Sequence, residues 1–207
     1  MVDEQTQLVV WSGGLDSTLV LNNLAKVSEK DNPIWAISFD TNFLTKNKIV
    51  KEKEARKNYL RYARKQGYHI CHRTVKIRSD IGVSELGWPQ QVFFFSFILP
   101  YIPDHCVVNI GFVQGDCVWT AVSNFREMFD KYKYVGGKTD VILKFPLAFK
   151  KKNEVLRDYR VSKIPYNCFW TCEHPVKLKS GYIRSCGRCV PCETLRTAVW
   201  REEKKFH

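Results

Sequence analysis

The chain has 207 residues, of which 44% are hydrophobic, enough for one compact domain with a small appendage. No apolar run approaches the roughly 18–20 residues that span a bilayer, and the polar, acidic residues 1–7 exclude a secretory signal, so the expected location is the cytoplasm, with no membrane partner. A net charge of +12 favours polyanionic partners, whether nucleotides, RNA or DNA, without choosing among them.

Residues 7–11 (QLVVW) read as a short apolar strand, and 16–27 as a helical run with leucines behind it. A second strand follows at 34–39 (IWAISF), then a long, charged helix at 46–66. The basic surface of that helix is either a solvated face or a path for an anionic partner. Residues 69–76 alternate like a strand; 91–101 are too apolar for a surface helix and are expected to be buried. A strand at 106–112 and helices at 121–133 and 151–161 complete the series. Strand–helix alternation of this kind predicts an α/β, doubly wound parallel sheet. Ligands in such sheets lie at the carboxyl ends of strands, which directs attention to the loops after Trp11, Phe39 and Phe112.

Ser12, Gly13, Gly14, Leu15, Asp16 and Ser17 follow the first strand and open the first helix. Two glycines let the backbone turn its N–H groups toward a ligand, and the helix N-terminus behind them favours an anion. Ser12 and Ser17 add hydroxyls. Asp16 repels phosphate, so its expected role is to orient the loop or to hold Mg²⁺. SGGLDS lacks the lysine of the P-loop NTPase pattern and resembles the S-G-G-x-D-S fingerprint of PP-loop (N-type ATP pyrophosphatase) enzymes. That resemblance implies ATP binding, cleavage to AMP and pyrophosphate, and adenylation of an acceptor oxygen.

Eight cysteines in a chain expected to be cytosolic suggest metal binding before disulfides. Cys71, Cys106 and Cys117 are scattered among apolar residues and read as small buried hydrophobes. Cys186, Cys189 and Cys192 form two overlapping C-x-x-C steps, with Cys172 fourteen residues upstream. Four thiolates complete tetrahedral Zn²⁺ with no open position, so a structural zinc is expected; an iron–sulfur cluster is the rival.

SGGLDS at the start, with W-T-C and then C-G-R-C-V-P-C at the end, resembles the 7-cyano-7-deazaguanine synthases (the QueC family). Ser38, Phe39 and Asp40 match its S-F-D stretch, and Pro89, Gln90 and Gln91 followed by FFFS echo its P-G-R-N-x-x-F-L-S. Ile110 and Gly111 with Asp116 resemble its I-G-V-N-x-x-D loop, and Pro146 and Leu147 followed by Lys152 and Glu154 its P-L-x-x-x-x-K-x-E. The resemblance implies ATP-dependent conversion of 7-carboxy-7-deazaguanine and ammonia to the nitrile, through an adenylated carboxylate and an amide. Carried over residue by residue, it places Asp16, Lys152 and Asp116 at the chemistry, with Lys152 as the cation. Ser12, Gly13, Gly14, Leu15, Asp16, Ser17, Ser38 and Phe39 would bind ATP with Mg²⁺, and Asp40, Gln91 and Trp119 the base. It also selects Cys172 over Cys168 as the fourth ligand, since Cys172 follows Trp-Thr. Residues 1–165 would form the ATP domain and 166–207 a zinc segment packed on it. A homodimer and a nucleic-acid partner stay open.

Three departures concern the acceptor. Residues 41–44 read TNFL where the family has G-Q-R-H, 119–123 read WTAVS where it has Y-P-D-C-R, and the P-G-R-N arginine is replaced by glutamine. Two other readings therefore use the same adenylation: a PP-loop enzyme that modifies tRNA, and a ligase joining a deazapurine acid to a macromolecule. A nucleotide sensor without turnover is a fourth.

Overall fold

A computed structural model describes residues 5–41, 44–78, 97–116, 120 and 122–203. Five parallel strands form the central sheet: β1 (Thr6–Val10), β2 (Ile34–Thr41), β3 (Ile70–Ile77), β4 (Cys106–Ile110) and β5 (Ile142–Lys144), in spatial order β3-β2-β1-β4-β5. The order reverses between β1 and β4, so the crevice at a doubly wound switch point opens beyond their carboxyl ends. Helices α1 (Leu15–Ala25), α2 (Lys46–Lys65), α3 (Val122–Val135) and α4 (Lys152–Val161) alternate with the strands. A two-residue hairpin, β6 (Val176–Lys177) with β7 (Ile183–Arg184), and α5 (Val190–Glu203) follow.

The strands divide their side chains by the pleat. Leu8, Ile37, Val108 and Ile110 join Phe125 and Phe129 of α3 in one layer, with Ile98 and Ile102 beside them. Val9, Trp11, Ile34 and Ala36 join Leu15 and Leu19 of α1, Tyr59 of α2, Leu156 and Tyr159 of α4 and Ala198 of α5 in the other. Each large side chain so buried contributes about 1.5–3 kcal/mol. α1 is covered on nearly every side because α4 and α2 pack over it. α2 buries a narrower stripe, Ala55, Tyr59 and Ala63 at i, i+4 and i+8; Thr45 caps its start and Gly67, at φ +75°, ends it.

The helix expected to run to Val27 stops at Ala25, and Val27 is exposed. Of the segment expected to be a buried helix, only its end lies among the described residues. Ile98 is buried there, Phe97 is at the surface, and the chain tightens into a 3₁₀ turn at Leu99–Tyr101, where Pro100 supplies no backbone donor. No helix among the described residues is long and apolar enough to cross a membrane.

A candidate active site at the switch point, tied to a four-cysteine centre

β1 delivers Trp11 into the core, where its indole donates to Thr18 Oγ1 (3.0 Å) and its carbonyl accepts from Ser38 Oγ (2.6 Å). The chain then turns through Gly13, whose φ of +91° disfavours any other residue. A Cβ there would also lie 3.0 Å from Arg56 Cγ and 3.1 Å from the Glu52 carbonyl. Three attachments hold the turn: Arg56 Nη1 donates to the Ser12 carbonyl (2.5 Å), Trp170 N–H donates to the Gly13 carbonyl (2.9 Å), and Gly14 N–H donates to Ser12 Oγ (3.0 Å). Gly14 is the N-cap of α1, with no side-chain cap, and Ser12 and Ser17 lie with their hydroxyls 3.1 Å apart. A helix N-terminus presenting such amides is suited to phosphate oxygens.

The end of β4 presses against this turn. A Cβ on Gly111 would meet backbone atoms of Asp16 and Ser17 at 2.9 Å, so only glycine lets β4 approach α1 so closely. Beyond it, Gln114 N–H donates to the Lys150 carbonyl (2.9 Å) and pairs with Lys151, which fixes where α4 begins. The first residue of α4 is Lys152, and its ammonium meets Asp16 Oδ2 at 2.5 Å. Asp16 Oδ1 is buried and has no partner among the described residues. Burial pushes the Asp16 carboxyl up, Lys152 opposes that, and the charge of Asp116 adds to it. Asp116 itself turns inward, accepting from Val113 N–H (3.0 Å). Asp16, Lys152 and Asp116 thus converge, with an orphaned carboxylate oxygen that suits a divalent cation.

Ser38 is occupied as a brace: its hydroxyl also meets His72 Nε2 at 3.0 Å. The Phe39 ring belongs to the opposite layer, with α3. Asp40 sits at the end of β2 between Lys53 (2.8 Å) and Arg78 (3.9 Å). Burial disfavours its charge, but Lys53 and Arg78 outweigh that and hold the carboxyl below its ordinary range. Gln91 and Trp119, expected at the base, lie outside the described residues, as do Trp88 and Gln90.

Several residues at this site carry no sequence signal. Lys48, Glu52 and Arg56 are nearly inaccessible on a helix that reads as charged throughout, and Lys48 bridges Glu52 (3.7 Å) and Glu173. Arg56 stands 4.0 Å from Glu52 while it grips the loop. Their i, i+4 spacing is also that of an ordinary solvated face.

His72 braces the loop from behind, and burial, with Arg56 adding, pulls its imidazole down to about 4. Because the folded value lies below the unfolded 6.5, the unfolded chain takes up the proton first. The stability contributed by neutral His72 is full above about pH 6.5 and lost as pH falls toward about 4. Thermal unfolding midpoints should fall across that window in the native protein and fall less steeply in His72→Asn; equal slopes would remove His72 as the cause.

The second centre is built from Cys172, Cys186, Cys189 and Cys192, whose sulfurs all lie within 4.8 Å of one another. Gly187, at φ +74°, turns the backbone between two of them, and Cys186 N–H donates to Cys172 Sγ (3.2 Å). The Arg188 N–H, aided by that of Cys189, pulls the Cys186 thiol down to about 6. Cys168 lies apart, in the α1–α4 layer, and burial pushes its thiol up to about 11. Trp170 joins the two centres: its indole donates to the Cys172 carbonyl (3.0 Å), its backbone N–H holds Gly13, and Lys51 lies over its ring at 5.3 Å.

No family model matches the chain, and no curated protein does. Solved structures do. NMN synthetase from Francisella tularensis superposes with a TM-score of 0.46 and 16% identity over 81% of this chain, which spans 66% of that protein's length. The U34-tRNA thiolase NcsA from Methanococcus maripaludis, solved with its [4Fe-4S] cluster, gives a TM-score of 0.51 and 16% identity over 99% of this chain and 67% of its own. The likeness is one of fold, a five-stranded parallel sheet with flanking helices.

Proposed function

We propose that the protein is an ATP pyrophosphatase-type enzyme that adenylates a carboxylate. The convergence of the uncapped α1 N-terminus, the Asp16–Lys152 pair and the orphaned Asp16 oxygen carries this reading. The loop amides and hydroxyls would hold the β- and γ-phosphates. Mg²⁺ held by Asp16 would supply charge neutralisation on the phosphate chain. Lys152 would stabilise the charge that grows on the α-phosphate. The acceptor's carboxylate oxygen attacks the α-phosphorus, the bond from that phosphorus to the bridging oxygen breaks, and pyrophosphate leaves.

The resemblance of the motifs to those of the QueC family supports 7-carboxy-7-deazaguanine as the acceptor. Ammonia displaces AMP from the acyl adenylate to give the amide. A second ATP activates the amide oxygen, and loss of AMP with a proton leaves the nitrile. The four thiolates suit zinc: a Zn–S bond of about 2.3 Å sets tetrahedral sulfurs about 3.8 Å apart, within the spread seen here.

Incubating the protein with ATP, Mg²⁺, ammonia and the acid is expected to give AMP, pyrophosphate and a product lighter than the amide by one water, followed by mass. ADP with orthophosphate would refute the first step. AMP release driven by tRNA and not by the acid would replace this acceptor with a tRNA, a reading that the +12 charge and the tRNA-thiolase neighbour support.

A further inference from the structure

α2 leaves the carboxyl rim of the sheet after β2 and runs down toward β3, the strand at the sheet's edge. Lys53, Arg56, Lys57, Arg61 and Arg64 fall at i, i+3, i+4, i+8 and i+11, one stripe of the helix about 16 Å long. Facing the stripe are His72 and Thr74 of β3, alternate residues on the same face. Between helix and edge strand lies an open groove of about 470 Å³ lined by these residues and Leu60.

No carboxylate among the described residues lines that groove. Lys53 is paired with Asp40 at the rim and Arg56 stands beside Glu52, whereas Lys57, Arg61 and Arg64 have no carboxylate partner among the described residues. Like charges spaced i, i+4, as in Lys53–Lys57–Arg61, cost the helix a few tenths of a kcal/mol each, roughly. An anion lying along the stripe reverses that cost. A compact anion would occupy one end, while the line of phosphates along a strand matches the whole length. Among the described residues no Phe, Tyr or Trp lines the groove, and the His72 ring is packed edge-on against Trp11, so the backbone is what the groove chiefly grips. The two neutral hydrogen-bonding groups on its floor, His72 and Thr74, suit 2′-hydroxyls, which only RNA carries.

We infer that the groove between α2 and β3 binds the backbone of a single RNA strand. The strand would run from the sheet's lower edge to the carboxyl rim, where Lys53 meets Asp40 and Arg56 holds the phosphate loop. This holds whatever the acceptor of adenylation is, and its test reads binding and not turnover, so the two can fail separately.

The probe is a fluorescent 15-nucleotide single-stranded RNA, read by anisotropy against a DNA of the same sequence. The triple reversal Lys57→Glu, Arg61→Glu, Arg64→Glu is compared with Lys131→Glu, Lys138→Glu, Lys144→Glu, which changes net charge equally on the α3 and β5 side. The groove triple should weaken RNA binding at least about tenfold and lower the slope of log affinity against log salt by about 2, from three contacts at about 0.7 each. The distal triple should retain affinity within about threefold. Should the groove triple fail to fold, Lys57→Gln with Arg61→Gln tests the same contacts and should lower the slope by about 1.4. Equal losses from both triples, or unchanged binding by the groove variant, would overturn the groove; DNA bound as tightly as RNA would overturn the assignment to RNA.

Discussion

Cys172→Ser is expected to release the metal and to weaken ATP binding, although Cys172 is not a residue of the phosphate loop. Cys172 is fully buried, and its sulfur lies within 4.8 Å of the other three, accepting from the Cys186 N–H and the Cys189 thiol. A four-thiolate site contributes on the order of 10 kcal/mol of coupled folding energy when loaded, and a hydroxyl is a poor substitute for a thiolate. Without the metal, the stretch from Cys172 to Cys192 keeps only the short β6–β7 hairpin, the first turn of α5 and a few side-chain ties such as Lys48–Glu173 and Asn47 to the Pro175 carbonyl among the described residues. Trp170 then loses the carbonyl its indole holds, and Gly13 loses the register of its Trp170 partner. Elemental analysis should show one zinc per chain in the native protein and less than about a tenth of that in Cys172→Ser. Cys168→Ser should keep the metal, because Cys168 lies in the apolar layer away from the cluster. Trp170→Ala separates the effects: the backbone N–H that holds Gly13 remains, but the indole that ties residue 170 to the Cys172 carbonyl is lost, so the variant should keep the metal and, with that tie of the loop to the cysteine centre gone, bind ATP about tenfold more weakly, about 1.4 kcal/mol. Iron in the native protein, or equal metal loss from Cys168→Ser and Cys172→Ser, would overturn the assignment.

The long parallel strands were legible because burial on both faces leaves continuous apolar runs such as IWAISF. β5 was not: three residues with alternating burial are too short for a period to register. α5 was hidden for another reason. Its first turn contains Cys192, which reads as part of a knuckle, and Pro191, which reads as a breaker although the first turn tolerates it. At the site, the loop and the cysteines were legible because both depend on contiguous spacing. Arg56, His72 and Trp170 were not, since each acts by a contact 40 or more residues away or across a strand pair, and nothing local distinguishes a buried Arg56 from its exposed neighbour Lys57. Lys152 stood out only through the resemblance; the pairing of Gln114 with Lys151 is what carries it to Asp16.

Lys152→Met should cut turnover by about a hundred- to a thousandfold, as loss of one preorganised charge at a transition state does. The same change also leaves Asp16 without its cation. Both side chains of that pair are only about one-fifth exposed, so an unpaired Asp16 costs roughly 3 kcal/mol. Burial already raises the Asp16 carboxyl, and without Lys152 it rises further. A folded value above the unfolded one stabilises the protein at low pH and withdraws that stability as pH rises through the folded value. Relative to the native protein, Lys152→Met should therefore lose more stability at neutral pH than at pH 4, a dependence opposite in sign to the one His72 imposes on both proteins. Adding Asp16→Asn removes the buried charge, so the double variant should recover most of the stability while its turnover stays as low as that of Lys152→Met or lower. Melting temperature against pH and AMP release measured on the same three proteins distinguish the two roles. If the double variant regained activity along with stability, Lys152 would be a structural counter-ion to Asp16 and the charge on the α-phosphate would have to be met by another group.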